Sequence, residues 1–172
     1  MDKGETKLKK LIVINGTMGI GKTTTCQALN KRLSRSVMLD GDWCWHMDPF
    51  IVNDETKDMV EGNIVHLINS YLACSHLDHI VFCWVIPYEK ILDSLRARLI
   101  GDYELYFITL MSSEDALKSR LEKDVKVGKR SSDIIKRSIE RLGLYENMSS
   151  TKIDVSQMST DEIVYHIIKL VK

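Results

Sequence analysis

Gly16-Thr17-Met18-Gly19-Ile20-Gly21-Lys22-Thr23 matches G-x-x-x-x-G-K-[ST] at every fixed position, the spacing of a phosphate-binding loop. A chance match in a chain of average composition is roughly one in a few hundred. The apolar run Leu11-Ile12-Val13-Ile14 before it reads as a buried strand. Thr24 to Ser34 after it holds no Gly or Pro and reads as a helix. Strand, loop and helix in that order are the context the motif requires.

The loop's chemistry follows from its residue types. Gly16, Gly19 and Gly21 let the backbone turn with its N–H groups inward. Those groups and the helix N-terminus make an anion site for nucleotide phosphates. Backbone from Gly16, Thr17, Gly19, Ile20, Gly21 and Thr24 forms the expected cradle, with Lys22 reaching the β- and γ-phosphates. The Thr23 hydroxyl is the expected ligand for Mg²⁺, a cation that prefers oxygen.

Outward from the loop, apolar strands alternate with helical stretches, which predicts a parallel sheet covered by helices on both faces. Further strands are expected at Val37–Leu39, His79–Ile86, Glu104–Leu110 and Lys152–Val155. Helices are expected at 55–73, 89–99, 113–126, 133–148 and after 159. Ser159-Thr160-Asp161-Glu162 forms a capping box for the last. In such sheets ligands bind at the carboxyl ends of the strands.

The chain has 172 residues, in the range of a single domain, and no internal repeat. Lys+Arg and Asp+Glu number 24 each. That balance, with 7% aromatic residues and no basic-aromatic stripe, gives no support to nucleic acid or an anionic membrane as partner. Cys26, Cys44, Cys74 and Cys83 show neither C-x-x-C nor zinc spacing and read as reduced thiols of a cytoplasmic protein. Residues 1–7 read as a flexible tail. The short apolar run after them is no signal peptide, and no stretch approaches a transmembrane span.

Asp40 and Asp42 follow the second strand, so they are placed on the rim that carries Lys22 and Thr23. A carboxylate there would accept a hydroxyl proton or orient Mg²⁺; the alternative is a turn that caps the next segment. Trp43, Trp45, His46 and Phe50 either stack a ring-bearing acceptor or pin their loop to the core. Between Asp40 and Tyr88 stand eight acidic residues and one basic one, Lys57. Anionic acceptors are usually gripped by arginine forks, so this segment points to a neutral or cationic acceptor. Arg120, Arg130 and Arg137 flank the basic stretch around 127–132 and are candidate lid cations for the charge that spreads over a moving phosphoryl group. Arg141 lies one turn beyond Arg137. His66, His76, His79 and His166 have no partner pattern and read as structural or exposed.

With these motifs in place, the chain resembles the P-loop small-molecule and nucleotide kinases: nucleoside monophosphate, shikimate and gluconate kinases, chloramphenicol phosphotransferase and the tunicamycin-resistance protein. Gly16 to Thr24 is similar to their G-x-x-G-x-G-K-[ST]-[ST] loop, Leu39-Asp40-Gly41-Asp42 to the acidic end of their second strand, and Leu117 to Arg130 to their helix leading into a basic lid. The resemblance spans Leu8 to Lys172 and implies a three-layer α/β P-loop NTPase fold with a five-stranded parallel sheet of order 2-3-1-4-5. It implies ATP and Mg²⁺. It also implies one kinase domain over 1–172, with an acceptor-binding region at about 40–75 and a lid at about 120–137. Two departures stand out. Phe82 to Pro87 holds no Walker-B aspartate, and arginines that would grip a monophosphate are not evident. The expected reaction is transfer of the γ-phosphoryl group of ATP to a small hydroxylated acceptor, with Lys22, Asp40 or Asp42, and lid arginines as the machinery. A nucleoside monophosphate kinase, an ATPase or regulator, and a non-catalytic nucleotide-binding module are the alternatives. No N-K-x-D of a guanine switch is present. Nothing in the sequence sets an oligomeric state.

Overall fold

The computed structural model describes residues 8–172; the expected tail at 1–7 lies outside them. Five strands form one parallel sheet in the order β2-β3-β1-β4-β5. They are β1 (Lys9–Asn15), β2 (Ser36–Asp40), β3 (His79–Cys83), β4 (Tyr103–Met111) and β5 (Thr151–Asp154). The helices are α1 (Lys22–Arg32), α2 (Asp54–Ala73), α3 (Glu89–Arg96), α4 (Glu114–Lys126), α5 (Asp133–Glu140) and α6 (Thr160–Leu170). Order and direction are those the resemblance implies.

β1 lies mid-sheet and faces helices on both sides, so its middle, Leu11 to Ile14, is continuously apolar rather than alternating. Ile12 and Ile14 join Cys26 and Leu29 of α1 and Val164 and Ile167 of α6 in one core. Leu11 and Val13 join Val60, Ile64 and Ile68 of α2 and Leu92 and Leu95 of α3 in the other. A third, small cluster links α4 (Leu117, Leu121) to α5 (Ile134) and to Met18 of the phosphate loop. The Ser159–Glu162 capping box starts α6 as expected.

Three expected elements are shorter, and the simplest case is the helix expected over 89–99, which ends at Arg96. The strand expected to reach Ile86 stops at Cys83, because its edge partner β2 stops at Asp40, opposite Cys83. Beyond it, the Asn15 side chain takes over from the ladder. Its Nδ2 donates to the Ile86 carbonyl at 3.0 Å and its Oδ1 accepts the Ile86 N–H at 2.9 Å. The helix expected over 133–148 ends at Glu140 and continues as a 3₁₀ turn at Leu142–Tyr145, where Gly143 interrupts the helical run.

Asn15 is fully buried and holds both backbone groups of a buried residue. Asn15→Ala is therefore expected to lower unfolding free energy by about 2–6 kcal/mol, since each of the two orphaned buried groups costs about 1–3 kcal/mol. Urea denaturation of the variant checks this, and a loss below about 1 kcal/mol would show that water replaces the amide.

Candidate active site

The phosphate loop leaves β1 and enters α1 over Gly16 to Gly21, and its three glycines all have positive φ. At Gly19 (φ 77°) a side chain would also overlap Leu121 of α4, so this glycine fixes how closely α4 approaches the loop. Around Gly21 (φ 107°) there is open space instead, on the side where α1 begins. The resulting cavity, about 190 Å³, is lined by Gly19, Gly21, Lys22, Thr23, Thr24, Asp40, Asp42, Asp124 and Arg130 among others.

Lys22 is buried and folds back on its own loop, donating to the carbonyls of Gly16 and Thr17 at 3.0 Å each. Burial pulls its pKa below the ordinary lysine value, and the nearby Asp42 and Asp40 charges oppose that. Thr23 Oγ1 donates to Asp40 Oδ2 at 2.7 Å. The other Asp40 oxygen accepts the Asp42 N–H at 3.1 Å and caps the 3₁₀ turn Gly41–Trp45. Asp40 thus caps the turn, one of the two alternatives the sequence left open, and its other oxygen faces the loop threonine. The donor set of hydroxyl and carboxylate oxygens fits Mg²⁺, with phosphate and water oxygens completing its shell.

Asp42 projects from the same turn toward solvent. Desolvation by the surrounding protein raises its pKa first, and the Asp40 charge raises it further; Lys22, the Trp84 indole and Arg130 hold it back. A Cβ on Gly41 would stand 2.6 Å from the Trp84 ring, so the acidic turn lies directly against that indole.

Other candidates are placed differently. Thr17 and Ile20 turn their side chains away from the cavity. Thr17 Oγ1 donates to the Ser138 carbonyl of α5 at 2.9 Å, and Ile20 is core. Of the three candidate lid arginines, Arg130 lines the phosphate cavity, beside Asp124 at 3.3 Å. Arg120 instead donates to the backbone carbonyls of Ile20 and Val155, and Arg137 pairs with Asp133 at 3.0 Å on the exposed face of α5.

A larger cleft of about 790 Å³ adjoins the phosphate cavity and shares Met18, Asp42 and Val85 with it. Its walls come from Trp45, His46, Met47, Phe50 and Val52, from Lys57 and Glu61 of α2, from Trp84, Val85, Pro87 and Ile91, and from Arg141. The acidic segment therefore contributes only residues 42–61, and the rest of α2 packs elsewhere. Trp45 packs against the core and against Phe50, at 5.9 Å between ring centroids, while lining the cleft. Sequence reasoning missed the wall after β3 and Arg141. Pro87 was legible as a strand stop, but nothing local marked that stretch as a cleft wall.

Residues 12–143 match the family described as AAA domain (AAA_18). No curated protein matches the chain. Among solved structures, the tunicamycin resistance protein of Deinococcus radiodurans is similar at TM-score 0.67 and 17% identity, covering 95% of this chain and 96% of that one. A gluconokinase from Sinorhizobium meliloti is similar at 0.66 and 18%, covering 96% and 92%. The APS kinase CysC of Mycobacterium tuberculosis, solved with AMPPNP and APS, is similar at 0.65 and 14%, covering 95% and 98%. At these identities the likeness is one of fold. A match over most of the chain, carrying an intact phosphate loop, decides membership: the chain belongs to the AAA-domain family and has the P-loop fold of small-molecule kinases.

Proposed function

We propose that the protein is an ATP- and Mg²⁺-dependent kinase that transfers the γ-phosphoryl group to a small hydroxylated acceptor. One observation carries this reading: the phosphate cavity and the larger cleft meet at Asp42. An acceptor hydroxyl in the cleft would attack the γ-phosphorus while the bond to the ADP oxygen breaks. Asp42, at the junction, is positioned to accept the hydroxyl proton, and its raised pKa makes it a better base than an ordinary aspartate. Lys22 would exchange its loop carbonyls for phosphate oxygens and stabilise the charge in transfer, with Arg130 lining the same cavity. When bound, Mg²⁺ neutralises phosphate charge; Thr23 and, one step behind it, Asp40 would hold it. This division gives Asp40 the role that a Walker-B carboxylate would fill, from the strand next to β3 and opposite Cys83.

A second reading has its own observation. Arg141 lines the cleft and pairs with no carboxylate among the described residues, its guanidinium lying 4.0 Å from Met18 Sδ. An unpaired cation there favours a phosphorylated acceptor, as in a nucleoside monophosphate kinase. The preference between neutral acceptors and nucleoside monophosphates in a transfer assay with γ-labelled ATP decides between the two. Label in no organic product would overturn both.

Lys22→Ala is expected to lower kcat by about 10²–10³-fold with the fold intact, the scale of losing one preorganised charge donor. Unchanged turnover would place the chemistry elsewhere.

The two aspartates are expected to separate by assay. Asp40→Asn raises the Mg²⁺ concentration for half-maximal rate about 10–100-fold, the usual effect of losing an outer-shell partner. Asp42→Asn lowers kcat about 10²–10⁴-fold at unchanged Mg²⁺ demand. Reversal of the two phenotypes would swap the roles.

Asp42 also carries a pH signature. The folded chain holds this proton more tightly than the unfolded chain, whose value is near 3.8. Ionising Asp42 therefore costs stability as pH rises from 3.8 through the raised folded value, and the cost is fully present above it. Asp42→Asn removes that cost, so at pH 7 its thermal midpoint is expected at or above wild type. A clear fall in midpoint would show that the carboxylate is a structural partner instead.

A further inference from the structure

The cleft beside the phosphate loop says more about its occupant than that it bears a hydroxyl. Nine of its fourteen lining residues are apolar, including Trp45, Phe50, Val52, Trp84 and Pro87. Phe50 and Val52 remain 66% and 55% exposed at the wall, so an occupant would remove substantial apolar surface from water. Among the polar groups, Lys57 is engaged by Asp54 at 3.2 Å, and Glu61 by Ser94 at 3.2 Å and Arg98 at 3.9 Å. That leaves Asp42, His46 and Arg141 to meet ligand polar groups, and Asp42 stands at the phosphate end.

A sugar acid or polyol presents a hydroxyl on nearly every carbon. Each one buried without a partner costs about 1–3 kcal/mol, and this lining supplies too few partners. An aromatic or alicyclic body meets tilted indole and phenyl faces instead, which suit edge and offset ring contacts. The volume of about 790 Å³ lies in the range of drug-sized sites and would leave a small polyol mostly surrounded by water.

Building on the kinase reading above, we infer that the acceptor is an amphiphilic alcohol: one or a few hydroxyls, near Asp42, on an apolar ring-bearing body packed between Trp84 and the Trp45–Phe50 pair. Sugars and sugar acids are the disfavoured classes.

The test uses the full chain with Mg²⁺ and a non-hydrolysable ATP analogue. Calorimetry compares 2-(1-naphthyl)ethanol with gluconate, shikimate and AMP. The naphthyl alcohol is expected to bind at least tenfold more tightly, with a negative heat-capacity change that marks apolar burial. Phe50→Ser is expected to weaken it at least fivefold, and Val52→Ser serves as a second, independent variant if Phe50→Ser alters the far-UV spectrum. Equal or tighter binding of gluconate, shikimate or AMP, or no binding of the naphthyl alcohol, overturns the inference. A parallel assay with γ-labelled ATP keeps the two claims apart. Label on the ring-bearing alcohol supports both. Preferred labelling of the polyol, sugar acid or AMP overturns the acceptor class and leaves the kinase standing. Tight binding of the naphthyl alcohol without transfer to any acceptor supports the apolar cleft and overturns the kinase reading.

Discussion

β1 is buried on both faces and paired on both edges, and its last residue must hand the chain from a saturated ladder to an open loop. Asn15 meets that constraint with a side chain that imitates a strand residue. By bonding both backbone groups of Ile86, it lets β1 turn away into the phosphate loop while the segment after β3 stays fixed. The Trp84 N–H also donates to the Ile14 carbonyl, at 3.3 Å. One side of Asn15 therefore sets where phosphates would bind, and the other sets the wall of the adjoining cleft. In a low-dielectric interior such a pair is worth having only when both halves are made.

The site sets one buried cation, Lys22, beside the carboxylates of Asp40 and Asp42. Lys22 is buried and supplied with carbonyls of its own loop, a weaker match than phosphate for an ammonium group. Asp40 and Asp42 share one turn but have different surroundings: the first is enclosed and doubly bonded, the second stands at the meeting of two cavities. Two identical side chains two residues apart are thus given different environments at the start of the 3₁₀ turn. The loop is also tied sideways, through Thr17 to α5 and through Gly19 to α4, so the helices that flank the basic stretch are anchored on the loop itself.

Much of the fold was legible in the sequence. The loop motif, the apolar runs and the Ser159–Glu162 box depend on neighbours within a few residues, and such signals survive without coordinates. The rest depended on distant partners. The apolar run through Ile86 looked like strand to its end, and only the length of β2 shows where pairing must stop. Asn15 carried no local signal of its role, because nothing nearby in sequence reveals a carbonyl 71 positions away. Arg141 was visible as a helix-face cation beyond the basic stretch; its place in the cleft follows from the break at Glu140 and the packing of α5 on the loop. Arg120 and Arg137 had the same apparent claim as Arg130, and backbone carbonyls and Asp133 engage them instead.

Gly41 gives the site an unequal adaptability. Its bare Cα lets the acidic turn rest on the Trp84 indole, so that wall and that turn cannot be changed independently. A different side chain at position 84 would change the contact on which the turn rests at Gly41. Phe50 and Val52, elsewhere in the cleft lining, take no part in either aspartate's hydrogen bonds. A redesign of this cleft, or drift among its descendants, therefore has one wall open to variation and one whose alteration disturbs the acidic turn.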